Sequence, residues 1–103
     1  MEVRVRVPTP LRALVAGAST VSVDVAGSGD GSPADRGVTV ASVLDALAAE
    51  HPALERRVRD EQGQARVHVN LFVGADNIRD LDGLGTAITS GDELSIIPAI
   101  SGG

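Results

Sequence analysis

Gly91-Asp92-Glu93-Leu94-Ser95-Ile96-Ile97-Pro98-Ala99-Ile100-Ser101-Gly102-Gly103 closes the chain. Its first part reads as a tight turn over 90–92 that feeds a strand over 93–97, where branched apolar residues dominate. Its last part, 99–103, ends on two glycines. They have no side chains to clash with a narrow channel, and they reach backbone angles closed to other residues. The carboxylate of Gly103 is the group in that stretch able to undergo chemistry. An enzyme could thread such an end into its active site and activate it. The bland alternative is an incidental pair of glycines.

Working back from this stretch, positions 2–7 and 20–25 alternate strictly. Val3, Val5 and Val7 oppose Glu2, Arg4 and Arg6, and Val21, Val23 and Val25 oppose Thr20, Ser22 and Asp24. Each run predicts a half-buried strand. Their closeness in sequence predicts an antiparallel hairpin with a long connection, punctuated by Pro8, Pro10 and Gly17. Residues 26–37 are rich in Gly, Ser, Asp and Pro and read as a loop. Thr39 is a suitable N-cap. Val40, Val43, Leu44 and Leu47 follow at helical spacing and form one apolar stripe. Pro52 ends that helix, because the residue before a proline is pushed out of the α region. A short second helix fits 53–60.

Positions 65–73 return to period two. Val67, Val69, Leu71 and Val73 are expected on one face, with His68, Asn70 and Phe72 on the other. After a turn over 74–77, Ile78-Arg79 reads as a very short strand and 84–88 as one helical turn. The order is one of an α+β roll, a mixed sheet covered on one side by one main helix.

Composition narrows the function. A single domain of 103 residues can bury roughly 65% of its unfolded surface, enough for a core without staples. The chain has no cysteine, so disulfides, thiolate zinc sites and cysteine nucleophiles are excluded. All nine basic residues are arginine. Without lysine there is no Schiff base and no side-chain acceptor for an isopeptide bond. A net charge of −5 and a single aromatic residue, Phe72, speak against nucleic acid as a partner. No apolar run is long enough to span a membrane, and the first ten residues lack the apolar stretch of a signal peptide. The expected location is the cytoplasm. His51 and His68 lie far apart in sequence, and Asp76, Asp80 and Asp82 lack the spacing of a calcium loop, so no metal site is expected.

The chain resembles the MoaD/ThiS family of β-grasp sulfur carriers, relatives of ubiquitin. The resemblance is carried by the strand and helix order, by Thr39-Val40-Ala41-Ser42-Val43-Leu44-Asp45-Ala46-Leu47, by Gly91-Asp92-Glu93-Leu94 leading into Ile96-Ile97-Pro98, and by Gly102-Gly103. Gly83-Leu84-Gly85-Thr86-Ala87-Ile88 and Pro98-Ala99-Ile100-Ser101-Gly102-Gly103 are most similar to the CysO branch, which carries sulfur for cysteine biosynthesis. The loop over 26–37 and the stretch over 59–66 depart from the short family pattern.

The resemblance implies a ubiquitin-like β-grasp domain over 1–98 and a flexible tail over 99–103. It implies a protein co-substrate rather than an enzyme, with no cofactor of its own and a monomeric state. An E1-like adenylyltransferase would use ATP to adenylate the Gly103 carboxylate. A sulfur donor would convert it to a thiocarboxylate, and a sulfur-accepting enzyme such as a cysteine synthase would consume the sulfur. Acceptors serving molybdopterin, thiamine or a secondary metabolite remain open. So do a modifier that forms isopeptide bonds and a plain interaction domain. Gly102, Ser101 and Ile100 would thread the tail. Phe72 and Ile97, with Ile100, would form the apolar centre of a docking face, and Arg12 would add a charged contact. A tolerated single exposure is the other reading of Phe72.

Overall fold

The computed structural model describes residues 2–25, 38–89 and 91–98. The expected loop over 26–37 and the tail residues Ile100, Ser101, Gly102 and Gly103 lie outside them. The first hairpin forms as the alternation predicts. Strand β1 (Glu2–Arg6) pairs antiparallel with β2 (Thr20–Asp24), with Val5 opposite Val21 and Val3 opposite Val23. All four valines are buried and the residues between them exposed. The connection winds into a 3-10 helix over Thr9–Val15, started by Pro8 in an extended conformation and closed by Ala16 in the left-handed region at φ 57°.

A two-residue strand β3 (Val38–Thr39) leads into helix α1 (Val40–Glu50). Thr39 caps it. Its Oγ1 accepts from the Ser42 backbone N–H at 3.2 Å, and the Ser42 Oγ accepts from the Thr39 N–H at 3.3 Å. This is a reciprocal capping box with serine in the usual Glu/Gln place. Val43, Leu44 and Leu47 lie on the buried stripe, each fully enclosed. Each such burial contributes about 1.5–3 kcal/mol, far more than helix propensity. His51 closes α1, and Pro52 opens α2 (Pro52–Val58), where its missing N–H costs nothing. Arg59, just beyond, joins the two helices, meeting Glu55 at 2.6 Å and Asp45 at 2.9 Å. Burial alone would lower the pKa of this guanidinium, but the hydrogen bonds to both carboxylates reverse that and leave it above its ordinary value.

Strand β4 (Val69–Val73) forms a hairpin with β5 (Asp76–Asn77), and Gly74 takes φ 62° at the first loop position. A two-residue strand β6 (Ala87–Ile88) pairs with β3 as a small separate sheet. Strand β7 (Glu93–Pro98) completes the main sheet, ordered β2-β1-β7-β4-β5. The two terminal strands, β1 and β7, run parallel at its centre, and every other pair is antiparallel. Val3, Val5, Leu71, Leu94 and Ile96 point to the helices, and among the described residues the opposite face is open. This is the β-grasp arrangement.

Three local expectations are corrected. Val67 does not continue the strand face of Val69; it sits in a turn and is 73% exposed. Among the described residues, the pairing of β4 with β7 runs from Val73–Leu94 to Val69–Pro98 and does not include Val67. The Arg79 Nη2 instead donates to the carbonyls of Arg66, Val67 and Val69, at 3.4, 3.3 and 3.1 Å. Ile78 and Arg79 form no strand, because Asn77 Oδ1 accepts from the Arg79 N–H and starts a 3-10 turn over Ile78–Asp80 that buries Ile78. Residues 84–88 are not one helical turn. A 3-10 turn over Gly83–Gly85 gives way to β6, and the Thr86 carbonyl accepts from the Val40 N–H at 3.0 Å, which brings β6 beside the start of α1.

Candidate functional site

The candidate site is the place where β7 ends and the last five residues begin. Strand alternation sends Leu94 and Ile96 inward, so Glu93, Ser95 and Ile97 face outward. Register then decides the neighbours. Phe72 lies opposite Ser95, and Asn70 opposite Ile97. Phe72 and Ile97 are therefore diagonal neighbours on one face, within reach of each other. Ile97 is 45% exposed.

Phe72 is half-buried, where the sequence led us to expect it exposed. Strands on both sides cause this, since it is also paired with Asn77 of β5. It remains on the open face. The hydrophobic core and the apolar residues packed against it do not include Phe72, while its neighbour Leu71 is buried among them.

The parallel contact between β1 and β7 ends at the pair Arg6–Ser95. Beyond it, β1 turns away into the 3-10 helix at Pro8 while β7 runs on to Pro98. The divergence leaves a cleft of about 220 Å³ lined by Arg6, Val7, Pro8 and Arg12 on one side and by residues 95–98 of β7 on the other. Proline is tolerated at the end of β7 because that edge no longer shares a ladder with β1. Arg12 is half-buried, and its Nε donates to the Val7 carbonyl at 3.0 Å. The structure thus brings Arg12 and Ile97 together beside the last described residue, with Phe72 one strand further on.

The sequence reading missed Arg6. Alternation places it on the outer face, but its position across from Ser95 depends on the β1–β7 register. Arg6 Nε lies 3.9 Å from Glu93 Oε1, a loose and exposed pair worth little. The face is electrically uneven. Arg6 and Arg12 lie at the end from which the tail departs, and Glu2 lies across from Asp24 at the other. His51 caps a helix end and His68 is exposed in a turn, and neither lines this cleft. Among the described residues no three His, Cys, Asp or Glu converge as a metal site, and no helix is long and apolar enough to cross a membrane.

A β-grasp domain whose open sheet face adjoins the root of a Gly-Gly end defines the class of small ubiquitin-fold carriers and modifiers. The chain belongs to the ThiS family, whose model matches residues 22–103. It is 34% identical to the sulfur carrier protein CysO of Mycobacterium tuberculosis over 105 aligned positions that span both chains completely. It is 41% identical to small archaeal modifier protein 1 of Haloferax volcanii over 89 residues, 86% of this chain and 87% of that one. Among solved structures, a chain of the Amycolatopsis orientalis BexX/CysO complex superposes with a TM-score of 0.78 at 28% identity, covering 98% of this chain and 99% of that one. A sulfur carrier and a small modifier protein are thus both among its relatives.

Proposed function

We propose that this chain is a sulfur carrier whose reactive group is the Gly103 carboxylate, with residues 1–98 as the docking domain and 99–103 as the reactive tail. The observation that carries the reading is the family match running through Gly103, together with the end-to-end match to a CysO. A carboxylate at neutral pH is a poor electrophile. In the proposed sequence it attacks the α-phosphorus of ATP on an E1-like adenylyltransferase, and pyrophosphate leaves. Hydrosulfide from a sulfur donor then attacks the acyl carbon, a C–S bond forms, and AMP departs with its C–O bond broken. The product is a thiocarboxylate, still anionic and now a good nucleophile. Its sulfur passes to an accepting enzyme, and the CysO relationship favours cysteine biosynthesis as the destination. The carrier supplies the tail and the face formed by Phe72, Ile97 and Arg12, and the partners supply the catalytic groups. Five extended residues span at most about 17 Å, so an enzyme that takes Gly103 into its active site must also touch the surface around Pro98.

The higher identity to small archaeal modifier protein 1 favours a second reading, conjugation of Gly103 to an amine on another protein. The chain has no lysine, so such a conjugate could not be extended through side chains of this protein. Intact-mass spectrometry after incubation with the cognate E1-like enzyme, ATP and a sulfur donor separates the two. Replacement of one terminal oxygen by sulfur supports the carrier. Mass added to a target lysine supports the modifier. A chain left unchanged by its activating enzyme and ATP, in both assays, rejects both.

A further inference from the structure

The end of the sheet from which the tail departs carries positive charge without carrying an amine. Arg6 and Arg12 line the cleft beside Pro98, and all nine basic residues of the chain are arginine. The difference from lysine is chemical. With a pKa of about 10.4, a lysine keeps about one amine in a few thousand unprotonated at neutral pH, and that fraction is a nucleophile. A guanidinium stays protonated and donates without ever accepting. The chain holds no thiol either. His68 precedes the Val69–Pro98 pair and lies near the same end, but an imidazole that takes an acyl group passes it on to water and keeps no lasting adduct. Register fixes how close the two ends of β1 stand to the tail. Arg6 lies opposite Ser95, three residues before Pro98, which places it roughly 11 Å from Pro98. Glu2, four residues earlier on β1, stands roughly 24 Å away. Five residues taken as a random chain have a root-mean-square span of about 12 Å and a maximum of about 17 Å. An amine at position 6 would therefore meet Gly103 often, and one at position 2 only at full stretch of both tail and side chain.

We infer that Arg6 and Arg12 decide where the acyl group goes: they supply the positive charge beside the tail in a form that cannot capture the activated Gly103, so the acyl group is kept for an external nucleophile. The inference deepens the carrier reading and rests on it, since it needs Gly103 to be the activated group. The step denied is an aminolysis. An unprotonated amine nitrogen would attack the acyl carbon and form a C–N bond. The C–O bond to AMP would break, AMP would leave, and the nitrogen would give its proton to water. The product, an internal isopeptide, would tie the tail to its own domain and consume the carrier. Capture between copies is denied in the same way, because no copy offers a lysine. Arg6 and Arg12 act here on specificity and are not catalytic residues, since neither touches a reacting atom.

The test uses the full-length chain with Gly103 as the thioester of a small thiol, a slower stand-in for the adenylate. Intact mass and peptide mapping follow its decay, with melting curves alongside. The parent should lose the thiol by hydrolysis. Arg6→Lys should also give a product one water lighter than the hydrolysed chain, mapped to an amide between Gly103 and position 6, because a short tether presents the amine at about millimolar effective concentration. Arg12→Lys should do the same. Glu2→Lys should form the lighter product at least about tenfold more slowly than Arg6→Lys. A parent that forms the lighter product as fast as Arg6→Lys would overturn the inference. So would Arg6→Lys and Arg12→Lys chains that melt like the parent and yield no more of it than Glu2→Lys. The thioester needs no enzyme, so this result stands apart from the carrier reading, whose own failure shows as a chain left unchanged by its activating enzyme and ATP.

Discussion

Replacing Phe72 by alanine separates a docking residue from a core residue. A fully enclosed phenylalanine costs about 3–5 kcal/mol on truncation to alanine, because a cavity remains. Phe72 is half-buried on the face away from the core cluster, so no enclosed cavity forms. Losing the buried half of its side chain costs about 1 kcal/mol. The diagonal aromatic–β-branched contact with Ile97 adds at most about another 1 kcal/mol. The expected loss is therefore about 1–2 kcal/mol, a fall in Tm of roughly 4–16 °C for a domain of this size. Leu71→Ala, one residue away and 1% exposed, should cost about 2–5 kcal/mol. Urea melts of both variants, with m-values unchanged, give the stability arm. Calorimetry against the activating enzyme gives the other, and there Phe72→Ala should cost at least about tenfold, as truncation at an interface centre does. A stability loss as large as that of Leu71→Ala would refute the placement of Phe72 outside the core. Unchanged affinity would refute its place in the docking face.

Other outcomes follow from single features. Gly102→Val should block activation of the tail with no change in Tm, because a β-branched side chain obstructs a narrow channel and residues near a chain end add little to stability; ATP–pyrophosphate exchange at the parent rate would contradict this. Removing Gly103 should abolish the same exchange while the fold persists, and urea melts would register any structural cost. Thr39→Ala should lose about 1 kcal/mol, since both halves of the capping box pass through that side chain or its partner; a chemical melt checks it. Gly91→Ala should cost about 1–2 kcal/mol although nothing lies within 4 Å of an added Cβ, because φ there is +93°, and an unchanged midpoint would show that the turn readjusts freely.

The site was only partly legible in the sequence. The reading of Gly102-Gly103 rested on a chemical and local signal, two residues without side chains, and both lie outside the described residues. Phe72 and Ile97 could be placed on strands, but only the register, with Phe72 opposite Ser95 and Ile97 opposite Asn70, made them neighbours. Arg6 carried no signal of its own. Arg12 entered by family pattern, and neither its tie to Val7 nor the cleft beside Pro98 is visible in any periodicity.

Periodicity determined what depends on a few neighbouring residues. Alternation in β1 and β2 sorted Val3, Val5, Val21 and Val23 from their polar neighbours. Helical spacing put Val40, Val43, Leu44 and Leu47 on one stripe, and Thr39 and Pro52 bounded the helix. These signals are strong because side-chain direction repeats with the backbone, every two residues in a strand and every 3.6 in a helix. Tertiary structure decided the rest. Val67 falls in a turn rather than a strand, and its carbonyl accepts from Arg79, a tie between segments distant in sequence. The pairing of β3 with β6, and of β1 with β7, joins segments far apart in sequence, where no local pattern carries information. The cleft beside Pro98 exists because those two central strands, parallel through Ser95, part company at Pro8.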